Sequence, residues 1–520
     1  MKTSVTLRDQ KTKLLLMNQS AEQVLPSPGV AGPPGARIRS GQERQPIAIL
    51  GVAFDNVTIN ETLSLIEQMV LSRQPHYLVT ANVDFLVQAR HDVELHRILL
   101  NAHLVLCDGT PLLWVSRLLG NPLPERVAGA DLAPLLIRLA AQKGFRLFIL
   151  GGRPEVSTKA VANLRAQFPD LIIAGHYSPP FQPLLDMDHD MIAQRIREAK
   201  PDLLLVSFGC PKAEKWFGMN YRSLGVPVGI GLGATIDFLA GQVKRAPRWM
   251  QRTGTEWIFR LAQEPRRLIR RYANDLWYFG ADVLRQWWQL RVRHEQPAVA
   301  SCASLPTEHP SWLHIALPSR LDLAVVRRDA MLWDKAATDG RHCLLNMAGV
   351  QSLDSSGIGL LISLQKRLQS AGRQLLLVAP TDFVRQTLQR ARLNDFLTTS
   401  RDETTVWQRL EARDAAASTP TLNKFTNTLE WQGEVTAANA ESVWNTTTTE
   451  IRSRMPPPAR FRIDLSRLRF IDSTGLGIMI RARKFARERG THIVFTNVQA
   501  NVRNVLRLSK MEAVLLEKPA

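Results

Sequence analysis

The stretch "VLCDGTPLLW" (Val105–Trp114) sets an acid, Asp108, at the close of an apolar run and just ahead of a glycine and a proline. Apolar runs closed by a small-residue turn read as parallel strands whose ends face a ligand crevice. Two chemistries fit Asp108. It can cap the helix that follows, with Pro111 suited to the first turn, or it can take a proton from a bound hydroxyl. A second run, "LVTANVDFL", ends on Thr80 and Asn82, short polar side chains able to orient that hydroxyl beside the acid.

Glycines offer a different chemistry. Gly151 and Gly152 in "ILGGRPEVSTKAV", Gly209 in "VSFGCPKAEKW", and Gly231 and Gly233 in "GIGLGATIDF" each stand between an apolar run and a helical stretch. Bare backbone N–H groups at such junctions bind phosphate. The dinucleotide fingerprint G-x-G-x-x-G is absent, and each glycine taken alone equally fits a plain tight turn; three such strand ends in one domain point to a nucleotide or nucleotide-sugar crevice. Arg126, in "NPLPERVAGADL", either neutralises a diphosphate through bidentate hydrogen bonds or is a solvated surface charge. Asp186 and Asp188 in "LLDMDHDMIAQRI" could pass for a D-x-D metal pair. Acids in a first helical turn are expected from the dipole alone, and the lone His189 adds no cluster, so no metal is assigned.

Elements must hold these residues in place. Runs such as "HYLVTAN", "LVLCD", "FRLFILGG", "LIIAG", "DLLLVSFG" and "PVGIGLG" alternate with amphipathic helical stretches. This alternation predicts an α/β domain with a largely parallel, Rossmann-like sheet over residues 46–243. A Pro/Gly-rich flexible leader (1–45) is expected before it, and a basic, Trp-rich helical appendage (244–294) after it. A linker (295–310) then leads to two small α/β domains, 311–415 and 421–520.

Those last domains are an internal repeat. "LDSSGIGLLISLQKRLQSAG" and "IDSTGLGIMIRARKFARERG" superimpose, pairing Asp354 with Asp472, Ser355 with Ser473 and Gly357 with Gly475. The register persists where Val384, Arg385 and Leu388 face Val502, Arg503 and Leu506. Copies of domain size, each reading strand, small-residue turn, helix, strand, helix, are tandem domains rather than a solenoid. Asp354 and Asp472 fit helix N-caps; a phosphate on Ser355 or Ser473 would instead add charge where a partner docks.

The formal net charge is +19, and residues 244–293 hold 12 Lys/Arg against 4 Asp/Glu, together with five tryptophans. Basic residues interleaved with tryptophan fit an anionic membrane surface better than nucleic acid, which is set aside. No apolar run is long enough to span a bilayer, and the start of the chain has no signal-type apolar region. Four scattered cysteines fit a reducing cytoplasm.

The ordered stretches "TAN", "CDGTPLLWVSRLLGNPLPERVAGADL", "FILGG", "SFGCPKAEKW" and "GIGLGATIDFLAGQVKRAPRWMQRTGTEWIFRLAQEPRR" resemble the WecG/TagA/CpsF glycosyltransferase family across about residues 47–275. The resemblance implies an inverting, metal-independent transfer of an N-acetylmannosamine-type sugar, or of glucose, without a cofactor. The donor would be a UDP-sugar and the acceptor a polyprenyl-diphosphate-linked saccharide, at the cytoplasmic face of the membrane. By the same resemblance Asp108 matches the general base, Thr80 and Asn82 polar active-site positions, and Arg126 the arginine that meets diphosphate. Gly151, Gly152, Gly209, Pro211, Lys212, Glu214, Gly231, Gly233 and Asp237 are the candidates for holding the UDP-sugar. The appendage, with Arg245, Arg248, Arg252 and Arg260, matches the part that closes over the site and seats the enzyme on the bilayer.

One position departs from the family. Ala213 stands where "PKQE" is usual, and losing a buried hydrogen bond at that position would cost about 1–3 kcal/mol if its partner stays unpaired. The repeats resemble STAS domains through "LDSSGIG" and "IDSTGLG", which implies a kinase target at Ser355 and Ser473 or a plain docking module for a regulatory protein. A rival reading follows: a STAS-based regulator whose first domain only senses a nucleotide sugar.

Overall fold

The computed structural model describes residues 44–242 (except 234), 246–247, 250, 255–291 (except 264), 303–305, 311–401, 421–423, 428–453 (except 437–438), 458–509 and 511–516. The expected leader, and Arg245, Arg248 and Arg252, lie outside them.

A hairpin, β1 (Ile47–Ile49) and β2 (Val52–Phe54), comes first and pairs antiparallel. Helix α1 (Ile59–Ser72) starts at a capping box between Thr58 and Glu61. Next come β3 (His76–Ala81), α2 (Val83–Ala89), α3 (Val93–Asn101), β4 (Leu104–Cys107), α4 (Thr110–Leu118) and α5 (Gly129–Lys143). Then follow β5 (Leu147–Gly151), α6 (Pro154–Gln167), β6 (Ile173–Tyr177), α7 (His189–Ala199), β7 (Leu203–Ser207), α8 (Lys212–Asn220), β8 (Val228–Gly231) and α9 (Thr235–Leu239).

Strands β3 to β8 form one parallel sheet in the order β4-β3-β8-β7-β5-β6. Alternate residues enter opposite cores, as strand geometry requires. Val79, Val105, Leu150 and Val206 pack on one face and Leu78, Leu106, Ile149 and Leu205 on the other. Both faces are covered by helices, which is why these strands read as unbroken apolar runs. From β3 the chain steps out to β4 on one side, then crosses to β5 on the other, so the carboxyl ends open onto a crevice at that reversal.

The appendage contributes α10 (Glu256–Gln263) and α11 (Pro265–Arg291). Phe279 and Val283 of α11 are buried against the first core, while Trp257, Trp277 and Trp288 remain exposed.

The first repeat contains β9 (Ala303–Leu305), β10 (Trp312–Ala316), β11 (Arg320–Leu321), α12 (Leu323–Arg328), α13 (Ala330–Thr338), β12 (His342–Asn346), β13 (Ser352–Leu353), α14 (Ser355–Ser370), β14 (Leu375–Val378), α15 (Asp382–Arg390) and β15 (Thr398–Ser400). Strand β9 falls inside the stretch read as linker and pairs antiparallel with β10 at the sheet edge. The second repeat contains β16 (Thr421–Asn423), β17 (Thr428–Glu430), β18 (Gly433–Val435), α16 (Ala440–Ser453), β19 (Arg460–Asp464), β20 (Leu468–Ile471), α17 (Ser473–Arg487), β21 (His492–Thr496), α18 (Ala500–Leu508) and α19 (Glu512–Leu515). Each copy keeps a larger sheet and a two-stranded one, β11–β13 or β18–β20, that leads into its signature helix.

Candidate active site

Strands β3 and β4 lie in register with Ala81 opposite Cys107, so Asn82 and Asp108 leave the sheet side by side. The Asp108 N–H donates to the Ala81 carbonyl at 2.9 Å. Asp108 does not cap α4. Gly109, not Asp108, takes the N-cap position, which leaves Asp108 as a half-buried carboxylate at the strand end. Asn82, by contrast, does cap: its Oδ1 accepts from the Phe85 N–H at 3.3 Å, which fixes its rotamer beside Asp108. Thr80 sits deeper, 6% exposed, and its hydroxyl donates to the Gly231 carbonyl at 3.3 Å. It lies under the start of α5, so a Cβ on Gly129 would meet the Thr80 oxygen at 3.3 Å.

The Val127 N–H bonds the Cys107 carbonyl at 2.8 Å, which draws the preceding loop and Arg126 back to the end of β4. Arg126 is no solvated surface charge. Its guanidinium pairs with Asp131 at 2.9 Å and with Glu256 of α10 at 3.0 Å. Burial opposes its charge, but Asp131, Glu256 and Asp108 outweigh burial and hold its pKa above the usual arginine range. Asp108 and Arg126 thus share one electrostatic neighbourhood, and the appendage enters it through Glu256.

Across the crevice, three helices that leave the sheet start without a side-chain cap bond: α4 after β4, α6 after β5 and α8 after β7. Of these, α6 and α8 follow the glycines Gly151, Gly152 and Gly209 picked out in the sequence, while α4 follows Gly109; first-turn N–H groups of this kind lack intrahelical partners. Gly151 adopts φ +100°, and a Cβ there would stand 2.6 Å from the Ser207 carbonyl, so only glycine lets β5 and β7 turn out together. Gly152 packs on Ile236, and the Gly233 carbonyl accepts the Ser207 hydroxyl. Gly209 faces open space just before Pro211, which takes the N-cap position of α8 without a side-chain bond.

On α8, Lys212 donates to the Gln182 carbonyl at 2.7 Å and lies near the Phe181 and Phe208 rings; burial lowers its pKa. Glu214 is 3% exposed, and burial raises its pKa to about 7. One of its oxygens faces Gly231, and the other has no hydrogen-bond partner. Ala213 is buried beside Gly231, so the departure at this position is lodged against the end of β8. Asp237 is half-buried on α9. Asp188 caps α7 through the Met191 N–H at 3.0 Å, and His189 bonds the Leu184 carbonyl, so the D-x-D stretch serves a helix start.

Residues 47–293 match the glycosyl transferase WecG/TagA/CpsF family. Over 224 residues the chain is 32% identical to the N-acetylglucosaminyldiphosphoundecaprenol N-acetyl-beta-D-mannosaminyltransferase of Bacillus subtilis (strain 168), covering 43% of this chain and 85% of that relative. The chain belongs to the WecG/TagA/CpsF family.

Equally named relatives of this glycosyltransferase occur in Bacillus spizizenii, 35% identical over 37% of this chain and 74% of the relative, and in Staphylococcus aureus (strain MW2), 28% identical over 43% and 87%. Beyond the WecG/TagA/CpsF region, residues 306–406 match the STAS domain and residues 421–517 the Mlab-type STAS domain.

Both STAS signatures are helix N-termini turned toward the WecG/TagA/CpsF domain. Asp354 accepts from the Ser356 and Gly357 N–H groups, each at 2.8 Å, and Asp472 accepts from Gly475 at 2.9 Å, so both aspartates cap as their spacing allowed. Ser355 is wholly buried, and its hydroxyl accepts from Gln286 of α11 at 3.0 Å. Ser473 is 4% exposed, and its N–H donates to Glu94 of α3. Both serines are buried in this arrangement, with Gln286 or Glu94 of the transferase bonded at each. Arg260 lies on α10, with its side chain outside the described residues.

Glu256 is the site residue that the sequence reading passed over. An acid in the first turn of a helix is ordinary dipole chemistry, so nothing local marked it as the partner of Arg126.

Proposed function

We propose that this glycosyltransferase moves an N-acetylmannosamine-type sugar from a UDP-sugar to a polyprenyl-diphosphate-linked saccharide, with inversion, at the cytoplasmic face of the membrane. The observation that carries this reading is Asp108: a carboxylate at a strand end, with Gly109 rather than itself in the N-cap position, beside Asn82 and within the charge neighbourhood of Arg126. The named relatives act on a diphosphoundecaprenol-linked sugar, which supports the acceptor class.

In this mechanism Asp108 takes the proton from the acceptor hydroxyl as its oxygen bonds the anomeric carbon. The bond from that carbon to the diphosphate oxygen breaks, and UDP leaves with the electron pair. Asn82, held by its cap bond, orients the acceptor, and Thr80 supports the crevice floor. The uncapped starts of α4, α6 and α8, with Lys212, receive the diphosphate, and Arg126 offsets charge as it develops. Glu214, Gly231, Gly233 and Asp237 line the donor side. Because Arg126 stands between Asp131 and Glu256, a diphosphate approaching it competes with the appendage for the guanidinium.

Among the described residues no helix is long and apolar enough to cross a membrane. The exposed Trp277 and Trp288 on the arginine-rich α11 suit an anionic membrane surface instead. Asp108→Asn tests the chemistry. Transfer to a lipid-linked acceptor is expected to fall by about 10²–10⁴-fold while UDP-sugar binding persists. Undiminished turnover would return Asp108 to a structural role.

A further inference from the structure

The two STAS domains meet the transferase through equivalent helix starts but by different physics. In the first, Ala48, Ala53 and Leu100 of the transferase share one continuous core with Leu345, Ile358 and Leu361 of the repeat. Gln286 stitches the junction, donating to the Ala48 carbonyl and the Ser355 hydroxyl, each at 3.0 Å, and accepting from the Leu50 N–H at 2.9 Å. A Cβ on Gly359 would overlap the Pro46 carbonyl, so α14 lies flush against the chain entering β1. Separating this domain would expose that shared apolar core to water.

The second domain shares no such core with the transferase; beside half-buried Leu185, charged groups meet at its junction. Arg97 of α3 forms a two-pronged ion pair with Glu434 at 2.9 and 3.1 Å, and its guanidinium lies 4.0 Å from the centre of the Phe470 ring. The Ser473 N–H bonds one oxygen of Glu94, whose other oxygen pairs with Lys215 at 3.0 Å. Lys215 also pairs with Asp92 at 2.7 Å. Lys215 belongs to α8, the helix that carries Lys212 and Glu214 into the crevice. The start of α17 therefore reaches the donor-side helix through the Glu94 carboxylate, and α17 also packs directly beside that helix.

We propose that the transferase is itself the partner of both STAS domains: the first is a fixed part of its body, and the second is a releasable clamp on α3 that steadies α8 through Glu94. Release opens no core shared between the domains: it uncovers half-buried Leu185 and the Phe470 ring and otherwise breaks polar and ionic contacts that solvent can replace. The coupling to α8 rests on the donor-side reading of that helix given above; the docking does not.

The full-length chain tests both parts. Glu434→Arg sets two like charges together, and Arg97→Glu added to it restores an opposite pair. With Glu434→Arg, amide hydrogen exchange across Phe470–Met479 is expected to rise about tenfold while exchange across Ser352–Ile362 stays unchanged. The double variant returns it toward wild type. The donor KM is expected to rise by about threefold or more in the single variant, with kcat much less affected. Raising NaCl from about 0.1 to about 1 M on the wild-type chain should loosen the same segment selectively, which needs no variant at all. Unchanged exchange at Phe470–Met479 under both perturbations would overturn the clamp, and equal loosening of both segments would overturn the fixed role of the first domain. Faster exchange with an unmoved KM would overturn the coupling. An active Asp108→Asn chain with intact docking behaviour would instead locate the failure in the site reading.

Discussion

Glu214 ties the stability of the catalytic domain to pH in a direction opposite to that of an ordinary paired acid. Buried under the end of β8, it has a folded pKa of about 7 against 4.5 for the free side chain, with burial as the main cause. Below pH 4.5 the carboxyl is neutral in both states and costs nothing. Between 4.5 and 7 the unfolded chain releases the proton while the folded chain keeps it, so stability falls as pH rises. Above 7 the loss is complete. Raising the pKa from 4.5 to about 7 corresponds to at most about 3 kcal/mol. Glu214→Gln keeps the shape and removes the titration. Relative to wild type, its apparent Tm should therefore be several degrees higher at pH 8 than the same comparison gives at pH 5. Thermal unfolding of the full chain followed by tryptophan fluorescence reads this, with Trp216 of α8 wholly buried nearby. A wild-type-to-variant difference that is identical at pH 5 and pH 8 would refute the buried, proton-retaining carboxyl.

Gly151→Ala forces a side chain into φ +100° and against the Ser207 carbonyl, so it should destabilise the catalytic domain by about 2–4 kcal/mol, read as a lowered first unfolding transition. Replacing Trp277 and Trp288 together by serine should weaken sedimentation with anionic vesicles by about tenfold, leaving neutral-vesicle binding low in both proteins; unchanged sedimentation would move the membrane contact elsewhere.

Much of the architecture was legible because it follows from local periodicity. The apolar runs of β3, β4, β5, β7 and β8, each closed by a polar or glycine turn, mark a doubly covered parallel sheet whatever lies far away in the chain. The repeat was legible for the same reason: Asp354 and Asp472 cap their own helices within three residues. Strand β9 was not. Three residues in a stretch of turn-formers have no period of their own and become a strand only because β10 offers an unpaired edge.

By itself, then, the sequence determined which side chains stand at strand ends and helix starts, since backbone period and capping act over a few residues. Only the tertiary structure decided what those side chains meet. That Asp108 stands beside Asn82, that Arg126 is clasped by Glu256 from the appendage, and that Ser355 and Ser473 are closed off by Gln286 and Glu94 all depend on groups distant along the chain. Such pairs are set by how helices pack around the sheet, and burial then assigns each group its charge, its partners and its access to solvent.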